Sequence, residues 1–166
     1  MSGRLRRSFE AGHRPKFLAV LDDTSECERA VRFAARRAAR TGASLLLLAV
    51  AAPPDDFEWI GVAEAMLAEA EAETAAQMEA AVVAARRAAG VEAERAIRVG
   101  ERAEEIAKLI DEDEDISFLV LGAATAKDGP GPLVAGLAGK SASTFAVPVV
   151  IVPGNLSDAE IDALAG

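Results

Sequence analysis

Short apolar runs alternate with segments of helical spacing along the chain. The apolar runs are bounded by Gly, Pro or acidic residues and fall far short of the roughly 20 residues of a membrane helix, so they are typical of buried strands. The run at residues 91–99 alternates imperfectly with charges, which favours an exposed or edge strand. Five strands are predicted at residues 17–21, 43–50, 91–99, 116–121 and 147–152.

Helices are predicted between and after these strands. Ser25 and Glu28 form a capping box that predicts the start of the first helix, and Gly42 can end it in a left-handed turn. The second helix is long and rich in Ala, and the last begins at the capping pair Ser157 and Glu160. The helices are expected at residues 25–42, 60–89, 100–110, 133–143 and from 157 onwards.

Strict alternation of strands and helices defines the fold class. It predicts an α/β fold, a three-layer doubly wound sandwich around a five-stranded parallel sheet. Ligands of such sheets bind outside the carboxyl ends of the strands, where the strand order reverses. Those ends lie at Asp22, after Val50, at Gly100 and at Gly122, so a site is expected along this edge.

Composition narrows the function classes. The chain has 166 residues, which suits one domain, and 51% of them are hydrophobic, which excludes a disordered acidic chain. A net charge of −9 argues against nucleic-acid binding, and an aromatic content of 4% argues against base-stacking platforms. With Cys27 and His13 as the sole Cys and His, internal disulfides, cysteine-rich metal sites and Cys–His or Ser–His catalysis are not expected.

The chain divides into three parts on charge and hydropathy. Residues 1–15 form a basic tail without an apolar leader segment, which we expect to be flexible and solvated, although it could contact an anionic partner. Residues 16–154 form the α/β domain, and residues 155–166 form a short C-terminal helix. We expect a cytoplasmic protein without membrane contact.

Two sequence patterns resemble ligand-binding motifs and fail on spacing. The acidic run at residues 111–115 resembles the opening of a calcium loop, but Ile116 and Gly122 stand where that loop needs Gly and Glu. We expect the run to be a solvated loop. Residues 139–141 resemble the end of a phosphate-binding P-loop, but Val134 occupies the position of the first glycine of that motif.

Several segments, in this order and spacing, resemble the universal stress protein family. They are the end of strand one at residues 20–26, the turn Val99-Gly100-Glu101 before Ala103-Glu-Glu-Ile106, the strand end at residues 119–122 and the closing strand at residues 147–152. The resemblance covers about residues 16–153. It implies the fold given above, with the five strands in the order 3-2-1-4-5, together with an adenine-nucleotide pocket.

Many members of that family bind ATP through an Asp after strand one and a loop of the form G-x2-G-x9-G-[ST]. Asp22 matches the Asp and Gly122 the first glycine, whereas Thr125 replaces the second and the third falls on Gly136 or Gly139. The nucleotide-binding residues that the resemblance implies are Leu21, Asp22, Val50, Leu121, Gly122, Thr125, Lys127, Gly136, Gly139, Lys140 and Ser141.

The physical chemistry of this loop disfavours a triphosphate. Phosphates are held by successive backbone N–H groups, and Pro130 and Pro132 each remove one donor. Asp128 adds repulsion, which Lys127 and Lys140 offset in part. The expected ligand is therefore ATP or AMP, with Mg²⁺ only alongside ATP, and an empty pocket remains open as an alternative.

The function that follows is a stress-response protein that binds or senses adenine nucleotide, with at most weak ATPase activity. One alternative is a dimeric interaction protein that does not bind ATP. Another is an ATP-hydrolysing enzyme of the related adenine-nucleotide hydrolase class. That class needs a Ser-Gly-Gly-x-Asp-Ser loop after strand one, and residues 21–25 contain no such glycines.

The fifth strand is expected to form a homodimer interface. It lies at the edge of the predicted sheet, and no charged residue occurs between Phe145 and Val152. The resemblance also implies pairing at this edge. The competing interpretation is that the terminal helix covers the edge and keeps the chain monomeric. The expected interface residues are Val147, Val149, Val150, Ile151 and Val152.

Overall fold

The sheet has the predicted strand number, direction and order. The computed structural model describes residues 5–22, 24–52, 60–123, 134–135 and 145–166. All pairings are parallel, and the order is β3-β2-β1-β4-β5. The strands are β1 (Lys16–Val20), β2 (Ser44–Ala51), β3 (Ala93–Val99), β4 (Ile116–Ala123) and β5 (Val149–Pro153).

Four helices are described in full, and the segment between β4 and β5 is described only at Val134 and Ala135, which are helical. The rest of the helix predicted at residues 133–143 lies outside the described residues. Within the described part of the chain, no helix is both long and apolar enough to cross a bilayer. The helices are α1 (Cys27–Thr41), α2 (Ile60–Ala89), α3 (Arg102–Glu112) and α4 (Asp158–Ala165).

Core residues lie on both faces of the sheet. On one face, Phe17, Ala19, Leu45 and Leu47 pack against α1 and α2, and the Phe17 ring stacks on Phe118 with centroids 4.0 Å apart. On the other face, side chains of the same strands pack against Ile106, Leu109 and Ile110 of α3. Because both faces are covered, the central strands are continuously apolar.

The start of α1 differs from the prediction. The helix begins at Cys27 with Glu26 as its N-cap residue, and no side chain caps it, so the predicted capping box at Ser25 and Glu28 is wrong. A turn precedes the helix instead, in which the Cys27 N–H donates to the Thr24 carbonyl at 3.2 Å. The predicted stop is confirmed, since Gly42 has φ +74°.

The acidic run at residues 111–115 is not the solvated loop that the sequence predicts. Its first two residues belong to α3, which extends to Glu112. Asp113 pairs with Lys16 at 2.8 Å, and Asp115 contacts His13 Nδ1 at 2.7 Å. These partners lie about a hundred positions away in sequence, so local charge patterning could not reveal them.

The described part of the basic tail places arginines on two helix ends. Arg6 Nη1 donates to the carbonyls of Ile110 at 2.6 Å and Asp113 at 3.0 Å, and α3 has no basic residue in its own last turn. Arg14 Nε donates to the Gly42 carbonyl, just after α1, at 2.7 Å. Arginine at a helix C-terminus complements both the carbonyls and the helix dipole. The boundaries at residues 15 and 155 stay predictions.

The last strand and helix differ in part from the prediction. β5 begins at Val149, so Val147 lies before the strand, where it is buried in the core beside α3. The capping box of Ser157 and Glu160 at the start of α4 is confirmed. α4 packs on α1 through the buried Ile161 and a two-bond pairing of Arg32 with Asp162 at 2.7–2.8 Å.

Arg6→Ala tests whether the tail stabilises the fold. We expect the free energy of unfolding to fall by about 1–3 kcal/mol, because two carbonyls at the end of α3 lose a charged donor. The measurement is urea denaturation followed by circular dichroism. Arg87→Ala, at an exposed residue near the end of α2, is the matched control and should change stability by less than about 0.5 kcal/mol. Equal effects of the two variants would contradict the assignment.

Candidate functional site

The strand order reverses between β1 and β4. After β1 the chain enters α1, whose buried residues belong to the core on one face of the sheet. After β4 it reaches Val134, which belongs to the core on the opposite face. The chain therefore leaves the adjacent strands β1 and β4 toward opposite faces of the sheet. A crevice remains between the two connections, beyond the carboxyl ends of these strands. The predicted site residues of β1 and β4 lie at this point.

Asp22 is held in place at the carboxyl end of β1 by three hydrogen bonds. Its Oδ1 accepts from the Thr24 backbone N–H at 2.8 Å and from the Thr24 hydroxyl. Its carbonyl accepts from Nε2 of Gln77, which lies on α2. The carboxylate thus orders the β1–α1 turn rather than capping α1, and it is half-buried. Gln77 and Thr24 are site residues that the sequence analysis missed, because no local pattern relates Gln77 to a turn 55 positions earlier.

Gly122 lies at the carboxyl end of β4, where the strand backbone comes very close to the backbone of the β1–α1 turn. A β-carbon added at this position would lie 2.7 Å from the Glu26 carbonyl oxygen and 3.1 Å from the Glu26 carbonyl carbon. Since both atoms belong to the backbone, neither can swing aside. The glycine therefore lets the end of β4 pack against the turn that leads into α1.

The remaining predicted site residues divide into two groups. Leu21 is buried and its N–H donates to the Leu48 carbonyl at 2.8 Å. Leu121 is buried within β4, and Val50 is half-buried near the end of β2. These three lie with Asp22 and Gly122 along one edge of the sheet. The others lie outside the described residues, namely Thr125, Lys127, Gly136, Gly139, Lys140 and Ser141.

The electrostatics of the described edge do not favour a highly charged anion. Glu101 already caps the N-terminus of α3 by accepting from the N–H groups of Ala103 at 3.1 Å and Glu104 at 2.8 Å.

Burial raises the pKa of the Cys27 thiol to about 11, so this thiol is protonated at neutral pH and is not a ready nucleophile. Among the described residues, no group of three or more His, Cys, Asp or Glu side chains could hold a metal.

Comparisons with known proteins agree with this geometry. A model of a family described as "Universal stress protein family" matches residues 13–153. Universal stress protein UspA from Lactobacillus plantarum superposes with a TM-score of 0.70 at 16% identity, covering 83% of this chain and 97% of that chain. A search of curated proteins finds no match.

Two further solved structures with the same fold contain nucleotides. A universal stress protein in complex with cAMP has a TM-score of 0.62 at 21% identity, over 85% of this chain and 98% of that one. The universal stress protein from Archaeoglobus fulgidus in complex with dAMP has a TM-score of 0.58 at 22% identity, over 82% and 95%. At these identities the likeness is one of fold.

Gly122→Ala tests the close approach of β4 to the β1–α1 turn. We expect the free energy of unfolding to fall by about 1–3 kcal/mol, because the added methyl group collides with the Glu26 carbonyl. Urea denaturation measures the change. Gly61→Ala is the matched control, because the residue lies in α2 and, among the described residues, no atom beyond its neighbouring helix backbone lies within 4 Å of the added β-carbon. The control should be neutral or stabilise by up to about 1 kcal/mol. A neutral Gly122→Ala would refute the packing role.

Proposed function

The chain belongs to the universal stress protein family, and from that premise we propose that it binds an adenine nucleotide at the carboxyl edge of β1 and β4. The nucleotide would act as a ligand that the stress-response protein binds or senses. It would not be a substrate that the protein converts rapidly. Of the described residues, Leu21, Asp22, Val50, Leu121 and Gly122 would line the adenosine part of the pocket.

The observation that carries this proposal is the position of Asp22. Its carboxylate lies where the strand order reverses, and the turn that holds it is tied to both α2 and the end of β4. A carboxylate fixed before the ligand arrives can accept hydrogen bonds from ribose hydroxyls without first losing conformational entropy. The crevice beside it is the place where doubly wound folds bind nucleotides.

The proposed ligand is AMP or ATP, and the phosphates of ATP beyond the first should add little to its affinity. Pro130 and Pro132 remove backbone donors from the loop after β4, and Asp128 repels phosphate. The N-terminus of α3 is already occupied by Glu101. The two nucleotide complexes described above contain cAMP and dAMP, which are monophosphates. Mg²⁺ would accompany the ligand only if ATP is bound.

Isothermal titration calorimetry with AMP and ATP, the latter with and without Mg²⁺, tests the proposal. We expect AMP to bind and ATP to bind less than about tenfold more tightly, a difference below about 1.4 kcal/mol. Asp22→Ala should weaken AMP binding by about 1–3 kcal/mol, through loss of charge-assisted hydrogen bonds.

Asp111→Ala is the control for that experiment, because it removes an exposed carboxylate from the C-terminal part of α3 and should leave affinity unchanged. Circular dichroism confirms that each variant is folded. Absence of binding by either nucleotide would leave the interaction-protein alternative, and unchanged affinity in Asp22→Ala would remove Asp22 from the site.

A homodimer through β5 is the second part of the proposal, and an unpaired strand edge favours it. Within the described residues, β5 pairs with β4 alone, while α4 packs against α1. Ile151 is 43% exposed, and Val149 and Val150 are half-buried. An apolar edge strand without charges is an association site. Val152 is buried and would support the interface without contacting the partner.

Ile151→Lys should convert the dimer to a monomer, because the introduced ammonium group would have to be buried at the interface. The matched control is Ile97→Lys on β3 at the opposite edge, where the side chain is 44% exposed and should leave the mass unchanged. Light scattering coupled to size-exclusion chromatography measures both. A monomer mass for the unmodified protein at micromolar concentrations would exclude the dimer.

A further inference from the structure

Helices α1 and α2 leave an open cleft between them on one face of the sheet. Its volume is about 170 Å³, and its lining comes from the β1–α1 turn, the first turns of α1 and the C-terminal half of α2. Asp22, Thr24 and Gln77 of this lining also belong to the candidate nucleotide site, and the other lining residues lie on α1 and α2. The cleft therefore adjoins the carboxyl edge of the sheet and extends from it between the two helices.

The cleft exists because α2 presents alanines where it faces α1. Ala80, Ala81 and Ala84 line it from α2, and Cys27 and Val31 line it from α1. Methyl groups at these positions cannot fill the space between the two helix backbones. Val31, Ala81 and Cys27 are buried, so the inner wall is apolar and rigid.

The polar residues described at the cleft include two carboxylates. Asp22 and Glu28 contribute carboxylates, and Thr24 and Gln77 contribute a hydroxyl and an amide. Among the described residues that line the cleft, none is cationic. An apolar wall below an anionic rim favours a ligand that joins a small hydrophobic body to a positive charge.

We propose that this cleft binds a small organic ammonium ion whose apolar body is about the size of a benzene ring. The size follows from the volume, since an apolar cavity of about 150 Å³ accommodates benzene. The charge follows from the two rim carboxylates, which would attract an ammonium group and repel a carboxylate. This ligand class is opposite in charge to a nucleotide, and the variants that test it leave the shared Asp22 unchanged, so failure of one proposal can be told from failure of the other.

The test compares three probes of similar shape and different charge, namely benzylammonium, benzyl alcohol and benzoate. Each is titrated into the ¹⁵N-labelled full chain, and amide shifts are followed by NMR. We expect benzylammonium to bind at least about fivefold more tightly than benzyl alcohol, and benzoate to bind most weakly. The shifts should cluster at Gln77, Ala81 and Ala84, and the preference for the cation should shrink at high salt.

Two variants make the test specific. Ala84→Leu fills the cleft and should weaken benzylammonium binding at least about tenfold, whereas Ala76→Leu, at an exposed position of α2 outside the lining, should not. Glu28→Gln should reduce the preference for benzylammonium over benzyl alcohol while leaving benzyl alcohol binding unchanged.

The comparison of the three probes uses the unmodified protein, so it remains decisive if Ala84→Leu does not fold. Equal affinity for benzoate and benzylammonium, or shifts scattered over the surface, would overturn the proposal. So would unchanged binding in folded Ala84→Leu. Nucleotide binding plays no part in these outcomes.

Discussion

The central strand β1 is buried on both faces, and the arrangement of the helices follows from this constraint. Phe17 and Ala19 point into the core with α1 and α2, while Leu18 and Val20 point into the core with α3. A parallel strand without a solvated face needs helices on both sides. The connection after β1 therefore leads to one face of the sheet and the connection after β4 to the other. The crevice at the carboxyl edge lies between these two connections.

That crevice is built by backbone contacts as much as by side chains. Within the turn after β1, the Asp22 carboxylate accepts a hydrogen bond from the Thr24 N–H. Gln77 of α2 donates to the Asp22 carbonyl and so ties the turn to that helix. The end of β4 lies so close to Glu26 that only glycine is accommodated at position 122. A ligand at this edge would thus meet a turn whose geometry is set before binding, which favours affinity through preorganisation.

Hydrogen bonds and an ion pair attach the two ends of the chain to the domain. Near the N-terminus, Arg6 and His13 form hydrogen bonds with the end of α3 and the acidic turn after it. Near the C-terminus, Asp162 of α4 pairs with Arg32, whose guanidinium lowers the pKa of that carboxyl group. The basic face of α1 is in this way covered by the chain's own acidic helix.

The sequence by itself determined the features that depend on neighbouring residues. Apolar runs located all five strands, glycines with positive φ ended α1 and α2 at Gly42 and Gly90, and a capping box started α4. It also placed Asp22 and Gly122 at the candidate site. Their partners could not be predicted, because Gln77 and Glu26 reach them only through folding. The tertiary structure alone decided that Arg6 caps α3 and that facing alanines leave a cleft. Both depend on atoms far apart in sequence, for which periodicity and local capping rules carry no information.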